Sequence, residues 1–213
     1  MVKGVIFDLD GVIVSTDDCH YLAWKRMADE EGIPFDRAVN ERLRGVSRME
    51  SLNIILEKAT VAYTDAQKEA LATRKNTYYV DLIGRLTPAD ILPGALDVLQ
   101  ELRKRNVKIA IGSSSRNTPV ILRQIGLDHA FDAVADGNQI RHSKPDPEVF
   151  VLAASLLGIA PENCLVVEDA DAGVEAALAG GMKALGVGSA AQNPRATYRA
   201  QSLADVDLNT LLR

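Results

Sequence analysis

At 213 residues the chain is long enough for one large domain, or for a core domain carrying a smaller one. Its 47% apolar and 25% charged residues are ordinary for a soluble globular protein, and a net charge of -5 argues against the broad basic face of a general nucleic-acid binder. No run approaches the roughly 18 apolar residues of a membrane span, and the N-terminal apolar run reaches Asp8 too early for a secretory leader.

The first element is "KGVIFD", which reads as a buried strand running into Asp8 and Asp10. Side chains two apart in extended chain share a side, so the two carboxylates point together while Leu9 points away. If the strand is central in a parallel sheet, its carboxyl end is where such sheets place their ligand crevice. Gly11 then allows a sharp turn or a close approach of a ligand. Taken alone, the same four residues also suit a turn whose aspartates cap the next element.

Residues 15–87 hold no convincing strand. "CHYLAWKRMADEEG" stops at Gly32 with Pro34 just beyond, and "SRMESLNIILEKA" spaces Met49, Leu52, Ile55 and Leu56 at helical intervals. Ser47-x-x-Glu50 and Thr64-x-x-Gln67 fit capping boxes, and a long helix is expected from Asp65 to about Leu86. Within this insert His20 and Trp24 share a helical face, and packing in the helical core is the plainer role for Trp24. His20 lies close to the start of the insert, within reach of Asp10 or of a hydroxyl on a ligand, and Thr16 is placed to hydrogen-bond Asp10 in one position of the insert. Gly45, Val46, Ser47 and Arg48 run into a capped helix start, where free amides and an arginine suit a phosphate. Lys75 adds a cation on the long helix.

From Pro88 onward strands alternate with helices: "ALDVLQELRKRN", "VKIAIGS", "TPVILRQIG", "FDAVAD", "EVFVLAASLLG", "CLVVED", "AGVEAALAGG", "KALGVG". That order indicates a parallel sheet covered on both faces. The expected class is therefore α/β, a Rossmann-like parallel-sheet core from residues 1–14 and 88–213, with an all-helical domain, residues 15–87, inserted after the first strand. Three further segments of the core carry polar chemistry. Ser113, Ser114, Ser115, Arg116 and Asn117 sit at a strand-to-helix junction, a natural phosphate cradle. Lys144 precedes Pro145, which biases it to extended geometry, and Asp146-Pro147 reads as an N-cap followed by a first-turn proline. Glu168 and Asp169 end another strand. With Asp8 and Asp10 they make an oxygen-rich pocket suited to magnesium, and the ion together with Lys144 relieves the mutual repulsion of the four acids.

The two cysteines, Cys19 and Cys164, are far apart, and His20, His129 and His142 lack paired zinc spacing. A reduced cytoplasmic protein is the expectation.

D-x-D-G-V, a serine after the second strand, K-P-x-P and E-D-x-x-x-G, in this order, resemble the haloacid dehalogenase superfamily of phosphotransferases. The resemblance implies that Asp8 is the nucleophile, that Asp10 is the general acid and base, and that Ser113 or Ser114 binds the transferring phosphoryl group. It further implies that Lys144 neutralises charge and that Asp8, the Asp10 carbonyl, Glu168 and Asp169 hold Mg2+. The helical insert looks like the superfamily's small cap. Thr16, His20-x-x-x-Trp24, "GVSR", "RKN" and "SSSRN" are similar to the beta-phosphoglucomutases. That second resemblance implies a phosphosugar substrate, a bound glucose 1,6-bisphosphate that also acts as primer, and a grip on the distal phosphate by Arg48, Lys75, Ser115 and Asn117. A sugar-phosphate phosphatase with the same nucleophile is the alternative. No nucleic-acid or membrane partner is expected, and a monomer is. The segment after Gly188 carries no recognisable functional motif.

Overall fold

The run Val5-Ile6-Phe7 forms the centre of the sheet because it can be covered on both faces: all of Gly4–Phe7 is buried. In the computed structural model, which describes residues 1–43 and 46–213, the strands are β1 (Gly4–Phe7), β2 (Lys108–Gly112), β3 (Ala133–Ala135), β4 (Cys164–Glu168), β5 (Lys183–Gly186) and β6 (Tyr198–Arg199). They form one sheet in the order β3-β2-β1-β4-β5-β6, with every neighbouring pair parallel. The helices are α1 (Asp17–Glu30), α2 (Arg37–Glu41), α3 (Arg48–Leu56), α4 (Asp65–Ile83), α5 (Ala95–Lys104), α6 (Thr118–Gln124), α7 (Glu148–Leu157), α8 (Asp171–Ala179) and α9 (Leu208–Leu211). Among the described residues none is long and apolar enough to cross a membrane.

The chain divides into two compact units, one of Met1–Ser15 with Thr87–Arg213 and one of Thr16–Leu86. In the first, one sheet face buries Ile6, Ala110 and Val166 against Phe150 and Ala153 of α7 and Val174 and Ala177 of α8. On the other face, Val5, Phe7 and Val167 lie with Val98 and Leu102 of α5 and Leu211 of α9 around a small apolar gap. Burial on both faces is why these strands read as unbroken apolar runs rather than alternating ones.

The second unit is helical throughout. Trp24 and Met27 of α1, Leu52 and Ile55 of α3, and Leu71 and Ala72 of α4 form its core. Its helix ends follow local chemistry. Gly32, with φ of +67°, closes α1, and the Ile33 N–H returns to the Ala28 carbonyl at 2.8 Å. The Thr64–Gln67 capping box is complete, with Thr64 N–H on Gln67 Oε1 at 2.8 Å and Gln67 N–H on Thr64 Oγ1 at 3.3 Å. Only half of the Ser47–Glu50 box forms: Ser47 Oγ accepts from the Glu50 N–H at 3.4 Å.

One expected cap shifts by a residue. α7 begins at Glu148 with Pro147 in the capping position, while Asp146 Oδ1 accepts from the Glu148 N–H at 2.9 Å. The carboxylate still satisfies a first-turn donor, from one position further out. The Lys144–Pro145 peptide bond is cis.

Candidate active site

Register brings three strand ends to one level. Phe7 pairs with both Ile111 and Val167, so Asp8, Gly112 and Glu168 emerge together at the carboxyl edge of the sheet. β1 is the strand at which the chain order reverses, the place where open α/β sheets open a crevice. The Asp8 N–H continues the ladder onto the Val167 carbonyl at 2.9 Å.

Lys144 Nζ donates to Asp8 Oδ1 at 2.5 Å and to Glu168 Oε2 at 2.9 Å. The three side chains are 6%, 9% and 2% exposed, so this is a buried ion cluster rather than a surface pair. Burial opposes the charge of Lys144, but the Asp8 and Glu168 carboxylates outweigh it and hold the ammonium firmly protonated. Burial pushes Glu168 up; Lys144 pulls against it, while the charges of Asp8 and Asp169 add to the upward push.

Asp8, Glu168 and Asp169 each present a carboxylate oxygen within 4.8 Å of the others. A compact trio of hard oxygen donors beside a single lysine fits magnesium. Two glycines make the trio possible. Gly11 has φ of +80°, and a Cβ there would stand 2.1 Å from Asp169 Oδ2; a Cβ on Gly173 would stand 2.0 Å from Glu168 Cδ. Asp10 is half-buried in the turn closed by the Gly11 N–H on the Val14 carbonyl at 2.8 Å, and its carboxylate stands outside the trio.

The serine loop after β2 folds on its own hydroxyls. Ser113 Oγ accepts from the Ser115 N–H and Ser115 Oγ from the Asn117 N–H, both at 3.2 Å. Ser114 Oγ is buried and has no hydrogen-bond partner among the described residues. Arg116 is exposed; its carbonyl accepts from Asn138 Nδ2 at 2.9 Å.

In the helical unit, Lys75 is only 2% exposed and meets Nδ1 of His20 at 2.9 Å. An ammonium has no lone pair, so it donates, and the proton of neutral His20 lies on Nε2. Burial first, then the charges of Lys75 and Arg48, hold the imidazole well below its usual pKa. Trp24 lies in the apolar core of the helical unit, with its ring centroid 4.7 Å from Lys75 Nζ. Ser47 caps α3 and Arg48 is the first residue of that helix; Val46 is half-buried just before them, and Gly45 lies outside the described residues.

Sequence reasoning missed Tyr79. Its hydroxyl donates to Thr16 Oγ1 at 3.1 Å, its ring lies 4.1 Å from that of His20, and Lys75 Nζ stands 4.6 Å from its centroid. The signal was present: Tyr79 is one helical turn beyond Lys75, on the same face. Also missed were Ser189 and Ala190, which donate to the Asp169 carbonyl at 2.5 and 2.9 Å.

Residues 2–181 match the family model of haloacid dehalogenase-like hydrolases. The chain is 45% identical to a beta-phosphoglucomutase of Bacillus subtilis strain 168, over 99% of this chain and 94% of that one. It is 34% identical to the fructose-1-phosphate phosphatase YqaB of Escherichia coli K12, over 86% and 95%. A crystal structure of beta-phosphoglucomutase from Clostridium difficile superposes with a TM-score of 0.92 at 38% identity, covering 99% of this chain and 96% of that one.

Proposed function

The chain belongs to the haloacid dehalogenase-like hydrolase family, and from that premise we propose that it interconverts beta-D-glucose 1-phosphate and glucose 6-phosphate as a magnesium-dependent phosphosugar mutase. The observation that carries mutation over hydrolysis is the basic group of the helical unit, in which buried Lys75 and half-buried Arg48 both act on His20. Hydrolysis needs only the core constellation around Asp8. Returning a phosphoryl group to a different hydroxyl needs a second anion receptor and protection from water.

In the proposed cycle, phosphorylated Asp8 gives its phosphoryl group to the 6-hydroxyl of the sugar, and Asp10 takes the hydroxyl proton. The product, glucose 1,6-bisphosphate, is the intermediate and, supplied from outside, the primer. After it reorients, the Asp8 carboxylate attacks the phosphorus at carbon 1. The bond from phosphorus to the sugar oxygen breaks, Asp10 returns the proton to that oxygen, and glucose 6-phosphate leaves. Ser113 and Ser114 bind the transferring group. Arg48, Lys75, Ser115 and Asn117 bind the phosphate that is not reacting, His20 donates from Nε2 to the sugar, and Thr16 orients Asp10. Asp8, Glu168, Asp169 and the Asp10 carbonyl would hold magnesium, which when bound supplies positive charge to the transferring phosphoryl oxygens.

General acid–base help from Asp10 contributes about 10²- to 10⁴-fold. That is far short of the acceleration phosphate esters require, so Lys144 and the other charges carry the larger share. The enzyme works as a cytoplasmic monomer in this reading. A sugar-phosphate phosphatase is the second reading, favoured by the similarity to the E. coli phosphatase.

The test is a coupled assay for glucose 6-phosphate with magnesium and bisphosphate primer, run beside phosphate release. Arg48→Ala is expected to depress mutation more than phosphate release. Equal loss of both would contradict a distal-phosphate role for Arg48.

A further inference from the structure

The segment after β5, in which the sequence shows no motif, is fastened to the acidic loop that follows β4. The Asp169 carbonyl accepts from Ser189 Oγ at 2.5 Å and from the Ala190 N–H at 2.9 Å. Two residues further on, Asp171 Oδ1 accepts from Asn193 Nδ2 at 2.8 Å. Asn193 is 8% exposed and uses both ends of its amide, since Oδ1 accepts from the Arg195 N–H at 2.9 Å. Its own N–H donates to the Ala190 carbonyl at 3.0 Å, which closes the turn that presents the Ala190 N–H to Asp169. Asn193 therefore touches both supports of Asp169: the turn that holds its carbonyl, and the aspartate that starts α8 just beyond it.

We propose that Asn193 is a positioning residue for the cation site, holding Asp169 at the place where its carboxylate shares an ion with Asp8 and Glu168. The physical basis is general. A carboxylate ligand on a loop binds a cation well only if its backbone is already fixed, and the groups that fix it set affinity without touching the ion. The interior alternative, an asparagine that merely plugs the C-terminal segment, does not need a side chain aimed at Asp171. The inference rests on the reading of Asp8, Glu168 and Asp169 as magnesium ligands.

The experiment is a magnesium titration of the substrate-free protein, followed through the backbone amide NMR signals of residues 168–171. Asn193→Ala, and Asn193→Asp, which sets two carboxylates face to face, are each expected to weaken magnesium binding by about 10- to 100-fold. The exchanged pair Asp171→Asn with Asn193→Asp restores a donor facing an acceptor and is expected to return the affinity to near the wild-type value. Ser189→Ala, which keeps the Ala190 donor, covers the case in which the Asn193 variants do not fold, and is expected to weaken binding by a smaller factor. Thr197→Val breaks a bond of the same segment to the Ala184 N–H; it is expected to lower the melting temperature and leave magnesium affinity unchanged. Unchanged affinity in folded Asn193→Ala, or an exchanged pair no better than Asn193→Asp, overturns the proposal. Wild-type protein whose signals at 168–171 do not respond to magnesium overturns the metal reading itself, and the proposal with it.

Discussion

Replacing Lys144 with methionine keeps the apolar stem and deletes the charge that faces two buried carboxylates at 2.5 and 2.9 Å. Breaking a buried ion pair from one side costs about 3–5 kcal/mol. Proton uptake sets a ceiling on that cost. A carboxyl with an ordinary value of 4.5 is carried neutral at pH 7.5, three units higher, for about 4 kcal/mol. The sign follows from the proton balance. Glu168 already has a raised folded-state pKa, so the native state binds the proton more tightly than the unfolded chain does, and stability falls as pH rises between the two values. Without Lys144 that window extends upward. In magnesium-free buffer, urea unfolding of Lys144→Met is expected to show a loss of about 3–5 kcal/mol at pH 7.5. Because Glu168 is already pushed up to about 8 in the wild type, the deficit is expected to stay nearly level between pH 6 and 7.5 and to grow, by up to about 1.4 kcal/mol per unit, only above pH 8, where the wild type alone releases the proton. A loss under about 1 kcal/mol, the range of exposed ion pairs, or a deficit that does not grow above pH 8, would refute the buried cluster.

Gly173→Ala is expected to cost about 1–3 kcal/mol by overpacking, because its Cβ would stand 2.0 Å from Glu168 Cδ; thermal denaturation together with weakened magnesium binding checks it. His20 has a folded-state pKa well below 6.5, so below that pH the unfolded chain takes up a proton the folded chain refuses. Stability is therefore expected to be fully present above pH 6.5 and to decline as pH falls below it, by at most about 1.4 kcal/mol per unit; His20→Gln, which keeps an acceptor for Lys75, should flatten that part of the profile in urea melts. Tyr79→Phe removes the donor to Thr16 and keeps the ring beside His20; about 1 kcal/mol of stability is expected to be lost, with a fall in kcat larger than the change in KM in steady-state kinetics.

The parallel strands were legible because a strand buried on both faces must be apolar throughout, as "VIF", "IAI" and "LVV" are. β6 was not, since two residues at the sheet edge, half-buried Tyr198 and exposed Arg199, leave no periodic trace. The acids were readable as residues out of place at the ends of apolar runs and Lys144 as a lysine restrained by the prolines around it, and register then joined the acids: nothing local tells that Phe7 pairs with Val167. Tyr79 was hidden for the opposite reason. A tyrosine on the buried face of a long helix looks like core, and its hydroxyl bond to Thr16 spans 63 positions. Ser189 bonds a backbone carbonyl 20 residues away, which leaves no mark in the sequence, and the Asn193 side chain meets Asp171 across 22 positions. The helix start at Glu148 fell one residue late because Asp146 and Pro147 satisfy the same rules in either register.

The central claim is that the phosphoryl group on Asp8 returns to sugar rather than to water. Beta-glucose 1-phosphate incubated with the protein, magnesium and a trace of glucose 1,6-bisphosphate, followed by phosphorus NMR, tests it most directly. The expected result is loss of the substrate resonance matched by growth of glucose 6-phosphate, with inorganic phosphate remaining a minor signal. Stoichiometric inorganic phosphate with no glucose 6-phosphate would contradict the mutase and leave a phosphatase.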